Sequence, residues 1–366
     1  MGSLTETAYH TRKAINWFIL FVIFYFILRI AWGILTSLWL TFFPPAPIPP
    51  NHLFNQLPVI KFPPPIASPS GELTFRLETI EGYVPHASES ANVYFIKKNA
   101  ANYLNLSNAT DFAKRLEFTS DPQEETKTQF LFIDPKYPLR FMRYDIVTKN
   151  FILRYAYEKD LGVFSERSLP LADAARREAS TFLSTFGIDQ DDLAVDQGVL
   201  TPLKLQGEKL ATITGFADAD AVRVDIFRTA IGDTPIVTSY PDEGEVSFVF
   251  SGSKNIKKRI LQVSYSYARI DFENTATYAL KTSNDAWMEL LGGKGYIARY
   301  PKNSLQAIIR HVYLAYYDSI YPQTYLQPVF VFEGDNGFLA YVPAIAPEWV
   351  QGYVAPSISP ATSTNR

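Results

Sequence analysis

Residues 14–43 form the longest apolar stretch of the chain, and a single charge, Arg29, interrupts it. As a helix rising about 1.5 Å per residue, the stretch reaches roughly 45 Å, more than the hydrocarbon core of about 30 Å. Each part beside Arg29 has about 14 residues, fewer than the roughly 17 that one span needs. The pattern therefore predicts one transmembrane helix at 14–43, preceded by a short tail at 1–13.

The charges that flank the apolar stretch predict its orientation. Arg12 and Lys13 stand directly before it, whereas the next basic residue after it is Lys61. Basic flanks stay in the cytoplasm, so we expect a cytoplasmic N-terminus and an extracytoplasmic body at the cell membrane. A cleaved signal peptide is the alternative. The stretch is too long for a signal sequence and is followed by Pro44 and Pro45, which favours a retained anchor.

Arg29 lies near the middle of the predicted span and needs a physical reason. A central arginine costs about 2.5–3.5 kcal/mol on insertion scales, and such residues usually face a protein partner or a polar cavity. One hypothesis is therefore that Arg29 binds a partner inside the membrane. The other is that its side chain snorkels toward the lipid headgroups. The sequence leaves both open.

A proline-rich segment separates the span from the body. Residues 44–70 contain ten prolines, which favours extended polyproline II structure and predicts a spacer. The apolar residues 53–62 within it are expected to dock on the body. At the other end, the Ser-, Thr- and Pro-rich residues 351–366 predict a disordered tail.

Between these segments, short helices alternate with groups of strands. Residues 129–133, 139–146 and 151–157 read as three strands joined by tight turns, after a helix that begins near Ser107. Amphipathic helices at 168–186 and 283–291 are again followed by strands. Trp287, in the last helix, is expected to be buried against its sheet. The recurrence predicts an α+β protein made of three tandem modules, each with a helix on an antiparallel sheet, at 71–165, 166–255 and 256–350.

Composition supports a folded body and excludes several classes of protein. The chain has 366 residues, of which 47% are hydrophobic and 15% aromatic, which is typical of a folded, strand-rich protein. Its net charge of −3 gives no basic surface for nucleic acid. The chain has no cysteine, so it forms no disulfide and no thiolate zinc site. This composition suits a bacterial envelope in which oxidative folding is little used.

The last predicted module resembles a known family. Residues 279–346 read ALKTSNDAWMELLGGKGYIARYP, then HVYLAYYDS, then LQPVFVFEGDNGFLAYVPAIA. This series of a helix and strands resembles the C-terminal module of YycI/YycH-type regulatory proteins and is similar to PepSY domains. The helix at AARREASTFLSTFGI is also PepSY-like. The resemblance implies a single-pass envelope protein that modulates a sensor kinase in Gram-positive bacteria.

The residues that could carry chemistry are few. His86 and His311 are the histidines of the body, and neither stands in metal-ligand spacing, so His311 is expected to be a partly buried strand residue. The motifs of serine hydrolases and of phosphate-binding loops are absent. A pair of acids remains a route to a cell-wall hydrolase; its members would come from Glu243, Glu245, Asp271 and Glu273. Asp189, Asp191 and Asp192 are expected to lie in a solvated loop, and we expect no cofactor and no metal.

Tyrosines are the remaining candidates for contacts with a partner. Tyr313, Tyr316, Tyr317, Tyr321 and Tyr325 crowd one predicted hairpin, where they either pack across strands or form a binding surface. We therefore predict a non-enzymatic binding or regulatory protein that contacts another envelope protein, with a sensor kinase or its accessory protein as the candidate, through these tyrosines and Arg29. The alternative is a structural subunit of an envelope or secretion assembly.

Overall fold

The computed structural model describes residues 4–42, 49–64, 71–97, 99, 102, 104–170, 172–188 and 190–353. The chain divides into two compact units, Met1–Ile48 and Pro49–Arg366, of which the second is the body. Parts of the predicted spacer, at 44–48 and 65–70, lie outside the described residues. So does the predicted tail from residue 354 onward.

The first unit is one long helix, α1, at Leu4–Phe42. Its window Ile15–Thr36 is the one helical segment of the described chain that is long and apolar enough to cross a membrane. The predicted apolar helix is therefore confirmed. It begins earlier than expected, because the polar residues before the apolar stretch also accept helical geometry and extend it.

The body is mixed α+β and mostly sheet, as the sequence predicts. Its helices are α2 Asn105–Arg115, α3 Asp173–Phe186, α4 Ile256–Arg259 and α5 Ser283–Leu291. In chain order its described strands are β1 Thr74–Leu77, β2 Ser90–Ile96, β3 Gln123–Glu124, β4 Gln129–Ile133, β5 Arg140–Asp145, β6 Phe151–Tyr155, β7 Val199–Gln206, β8 Lys209–Thr212, β9 Ala221–Ile226, β10 Ile236–Thr238, β11 Val246–Ser251, β12 Ile260–Tyr265, β13 Ile270–Ala279, β14 Tyr296–Arg299, β15 Gln306–Asp318, β16 Tyr325–Gly334 and β17 Leu339–Pro343.

The first sheet has nine antiparallel strands in the order β3-β4-β5-β6-β12-β11-β9-β7-β8. Helices α2 and α3 pack on one face of it, because each has an apolar stripe at helical spacing. Phe112 of α2 and Phe182 of α3 meet the buried Phe248 and Phe151 in one core. Gly187 ends α3 in a left-handed conformation with φ 64°, as the sequence predicts.

The second sheet has eight strands, with β1-β15-β16-β17-β14 as its main path. β10 pairs with β15, and β2 pairs with both β16 and β13. Helix α5 covers one face through Ala286 and Leu290, which pack with Phe330 and Phe332. The opposite face carries a second core of tyrosines and small residues around Tyr317 and Tyr341.

These two sheets differ from the three successive modules predicted. β6, from the first predicted module, pairs with β12, from the third. β1 and β2 lie early in the chain but belong to the second sheet, with β15 and β16 as partners. Periodicity identifies each strand locally, whereas its partner is chosen by burial of a shared face far along the sequence.

Part of the proline-rich segment belongs to the body, as expected for its apolar residues. Leu57 is completely buried and its amide donates to the carbonyl of Trp349 at 2.8 Å. Phe62 stacks on Tyr296 with ring centroids 4.8 Å apart. Residues 49–64 are therefore a packed strap on the second sheet rather than a free spacer.

Helix α5 has the predicted bounds but not the predicted cap. The Thr282 hydroxyl, not that of Ser283, accepts the hydrogen bond from the amide of Asp285. Trp287 is half-buried and lies between Phe75 and Phe332, so it packs on the sheet with one side still accessible.

The contact between α5 and the second sheet gives a stability prediction. Phe332→Ala removes a completely buried ring and should lower the free energy of unfolding by about 3–5 kcal/mol, since the cavity left behind collapses only in part. Urea denaturation of the full chain in detergent, followed by near-UV circular dichroism, measures this. The control Ile80→Ala, at a side chain 93% exposed, should change it by less than about 0.5 kcal/mol. Equal effects would contradict the packing.

Candidate functional site

The outer edge of β15 is paired at both ends and open in the middle. β1 lies parallel to residues 306–309 and β10 lies parallel to residues 316–318. Between them, no strand of the described chain pairs with the outer edge of residues 310–315, which we call the edge gap. The gap is bounded by the Glu78 amide, which donates to the Ile309 carbonyl at 2.9 Å, and by the Tyr316 amide, which donates to the Pro235 carbonyl at 2.8 Å.

The peptide groups of the edge gap have a defined direction. The register between β15 and β16 is regular from His311 to Tyr317, so alternate peptide groups point to the same side. Because the Tyr316 amide points outward to Pro235, the amides of Val312 and Leu314 also point outward. An unpaired edge of this kind is a template for another strand.

A cavity lies on each face of β15 beside the edge gap. The first, of about 250 Å³, is lined by Pro85, Ala87, Val312, Leu314 and Phe330, on the α5 face. The second, of about 260 Å³, is lined by Val237, Arg299, Tyr313, Glu333 and Tyr341, on the tyrosine face. Tyr313 lines both cavities.

The tyrosine-face cavity contains polar atoms without partners. Within the described residues, neither the hydroxyl of the fully buried Tyr341 nor Nε of Arg299 makes a hydrogen bond. Burial raises the pKa of Tyr313 to about 12, and the neighbouring carboxylate of Glu333 adds to the rise. The Arg299 guanidinium can donate a hydrogen bond to an incoming side chain, the tyrosine hydroxyls can donate or accept one, and the Glu333 carboxylate can accept one.

The structure separates the five predicted tyrosines. Tyr313 lies half-buried at the edge gap, and Tyr321 is 40% exposed. Tyr316 and Tyr317 are buried core residues at the end of β15 that β10 covers, so they pack across strands, which is one of the two arrangements that the sequence left open. Tyr325 is half-buried and stacks on Phe54 with centroids 4.8 Å apart. Arg29 lies in α1 and forms no ion pair with the described residues.

A buried ionic cluster lies elsewhere in the body, where the two sheets meet. Arg228, just after β9, donates from Nε to Asp318 at 2.7 Å and also binds Asp192 and the carbonyl of Ala268. Its guanidinium lies 4.2 Å from the ring centroid of Tyr267. Burial disfavours the charge, but Asp318 and Asp192 outweigh it and raise the pKa of Arg228. Asp192 is therefore part of this cluster. The expectation from the sequence that it lies in a solvated loop is wrong for this residue.

Glu245 borders this cluster and a polar cavity of about 240 Å³. Its side chain is only 8% exposed, and neither carboxylate oxygen makes a hydrogen bond within the described chain. Burial and the charge of Asp318 raise the pKa of Glu245 to about 7; Arg228 and the nearby backbone amides of residues 245 and 228 offset part of the rise. We call the cavity, with Glu245, Asp225, Tyr240, Ser247 and Ser264 in its lining, the acid pocket.

Of the other acids considered for a catalytic pair, Glu243 lines the acid pocket together with Glu245. Asp271 accepts a hydrogen bond from Asn274 at 2.9 Å and pairs with Lys97 at 3.4 Å, and it does not line the acid pocket. His311 is exposed, so the prediction of a partly buried histidine is wrong. Among the described residues, no group of three or more metal-ligating side chains is close enough to hold an ion.

Comparison with known proteins adds no relative. No protein-family model matches the chain, and no curated protein is detectably similar to it.

The raised pKa of Glu245 predicts how stability depends on pH. The neutral form is favoured in the folded state, so this stabilisation is complete below pH about 4.5 and is lost as the pH rises through about 7. The loss should reach about 3 kcal/mol, since one pKa unit corresponds to about 1.4 kcal/mol. Urea denaturation between pH 5 and pH 8 should show a decline in wild type that Glu245→Gln reduces. The exposed control Glu208→Gln should retain it; equal slopes in all three proteins would contradict the assignment.

Proposed function

We propose that the protein is a membrane-anchored binding protein that takes an extended segment of another envelope protein into the edge gap of β15. The supporting observation is the gap itself, an unpaired strand edge with a cavity on each face. In strand addition, the backbone of the peptide supplies hydrogen bonds, and pockets for alternate side chains supply specificity.

The flanking strands limit what the gap can accept. Residues 310–315 span roughly 20 Å at about 3.3 Å per residue, which is room for a segment of about five residues. A second copy of this chain would present β15 between its own β1 and β10, so two such edges could not approach each other along the gap. A short extended segment of a different protein, without flanking strands, fits.

The side chains of such a segment would alternate between two environments. One set would enter the α5-face cavity, where Val312, Leu314 and Phe330 favour apolar groups. The other set would enter the tyrosine-face cavity, where the Tyr341 hydroxyl and Nε of Arg299 could form hydrogen bonds with polar groups. The partner segment is therefore proposed to alternate apolar and polar residues.

The predicted membrane anchor and the resemblance to known regulators suggest where the protein acts and what it regulates. An apolar α1 would hold the body at the outer face of the cell membrane, and Arg29 would contact a partner helix within it. Control of a sensor kinase, the role of YycI/YycH-type proteins, is the regulatory use we propose for the edge gap. We also propose that the units in which a helix packs on a sheet are related to PepSY domains.

Strand addition predicts a dependence on one backbone amide. A peptide selected from a displayed heptapeptide library on the full chain in detergent should lose at least tenfold in affinity for Val312→Pro, which removes an outward-pointing N–H without breaking a bond to β16. Val312→Ala, the matched control, keeps the N–H and should lose less. Fluorescence anisotropy measures both, and an unchanged melting temperature shows that the variants fold.

Hydrogen exchange gives an independent readout of the same proposal. The amides of Val312 and Leu314 should become protected when the peptide binds, because they gain hydrogen bonds. Exposed amides of the first sheet, such as that of Glu208 in a turn, should not change. Equal affinity for both residue-312 variants, or protection elsewhere only, would exclude strand addition.

The proposed orientation is testable because the chain has no cysteine. Ile80→Cys, at a side chain 93% exposed, should react with a membrane-impermeant maleimide in cells whose wall has been removed. Ser3→Cys, before the anchor, should react only after the membrane is permeabilised. The reverse pattern would overturn the orientation that Arg12 and Lys13 predict.

A further inference from the structure

Glu245 is a buried acid that the proposed strand addition does not use. It lies directly before β11, with both carboxylate oxygens unpartnered within the described chain, and it lines the acid pocket. A carboxylate accepts hydrogen bonds and donates none, and the nearby backbone amides of Glu245 and Arg228 do not reach these oxygens with hydrogen-bonding geometry, so the oxygens can accept a further donor. Leaving a buried acceptor unsatisfied costs free energy, which a bound donor would recover.

The charges around Glu245 do not neutralise it. Arg228 binds Asp192, Asp318 and the Ala268 carbonyl, and it makes no hydrogen bond to Glu245. The other nearby guanidinium, Arg223, binds Asp225 at 2.7 Å and the carbonyl of Asp242. Once ionised, Glu245 therefore has no countercharge of its own.

The rest of the acid pocket is mostly polar: apart from Arg223, which is paired with Asp225, and the amide of Gln262, its polar side chains are acids and hydroxyls. Glu243 and Asp318 add acidic side chains, and Ser247, Ser264 and Tyr240 add hydroxyls. The volume of about 240 Å³ is below the roughly 300–1,000 Å³ of pockets for drug-sized ligands, which favours a small solute. A metal ion would need three or more suitable ligands together, and the described residues do not supply such a group.

An ammonium group meets these conditions. It carries a positive charge and three donors with no acceptor, which complements an unpartnered carboxylate among hydroxyls. We infer that the acid pocket binds a small hydroxylated solute with a protonated amine, whose ammonium group donates to Glu245. The solute's hydroxyls would bond to the serine and tyrosine hydroxyls of the lining. This site is separate from the edge gap and does not depend on the proposed partner segment.

Binding of this kind is linked to protonation. The ligand pairs with the ionised form of Glu245, so it competes with the proton and affinity should rise from pH 6 to pH 8. Arg228 and Asp318 act directly on the pKa of Glu245, and Asp192 and Tyr267 contact Arg228. The other charged and titratable groups of the pocket lining are Glu243, Asp225, Arg223 and Tyr240. Glu245→Gln keeps the side-chain shape and removes the titration.

The test uses matched pairs of probes with the full chain in detergent. Serinol (2-amino-1,3-propanediol) is compared with glycerol, and ethanolamine with ethylene glycol, by calorimetry and saturation-transfer NMR at pH 8, where both amines are largely protonated. We expect at least one ammonium probe to bind at least tenfold tighter than its neutral match. Glu245→Gln should lose at least tenfold and should abolish the rise with pH, whereas Glu208→Gln should match wild type.

A second variant keeps the test decisive if Glu245→Gln is unstable. Ser247→Leu fills the acid pocket from β11, leaves Glu245 in place and should also abolish binding of the ammonium probe. The inference is overturned if neither ammonium probe binds, if the neutral probes bind as tightly, or if binding survives in Glu245→Gln. Intact peptide binding at the edge gap in these variants would show that the two sites are independent and that the fold is retained.

Discussion

Arg228 holds the two sheets of the body together. It follows the last residues of β9 in the first sheet and binds Asp318, at the end of β15 in the second. Its side chain is 1% exposed, so its charge is stable only because Asp192, Asp318 and a backbone carbonyl surround it. Removing one partner of such a buried pair typically costs 3–5 kcal/mol, because the other charge is left uncompensated. Arg228 is therefore a direct link between the two sheets, and its loss should be costly.

The acid pocket follows from the same arrangement. Bringing Asp192 and Asp318 to one arginine places more negative than positive charge where the sheets meet, and Glu245 is the member without a partner. Burial and the charge of Asp318 therefore raise the pKa of Glu245 to about 7. Perturbed ionisable groups in cavities often mark functional sites, although ion-pair networks also produce them. The absence of a partner for Glu245 among the described residues separates this site from a purely structural network.

The sequence predicts local elements well and distant pairings poorly. The hairpin strands β4 to β6 and the helix α5 appear where periodicity and turns place them, although Thr282 rather than Ser283 caps α5. The pairing of β1 with β15 joins residues more than two hundred positions apart, for which local pattern has no information. β10 and β14 were missed because each is short and follows turn-forming residues.

The candidate sites show the same division. Glu245 could be proposed as an acid, but its isolation depends on where Arg228 directs its donors, which only the fold determines. Tyr313 could be proposed as a contact, whereas its neighbours Tyr316 and Tyr317 are buried because β10 pairs beside them. The edge gap could not be proposed from the sequence, because it is defined by the pairing of β1 and β10 with the two ends of β15.

β10 connects the two sites physically. Val237 lines the tyrosine-face cavity, while Thr238 lines both this cavity and the acid pocket. The segment that follows reaches both sites as well, since Asp242 pairs with Arg299 of the cavity at 3.0 Å and Glu245 lies three residues further on. Thr238 donates to the carbonyl of Tyr240 at 2.7 Å, which fixes the turn between them. A solute that orders this segment would change the affinity of the edge gap for its partner only if the solute binds two arrangements of β10 with different affinities. A partner segment in the gap would then change the affinity for the solute by the same factor.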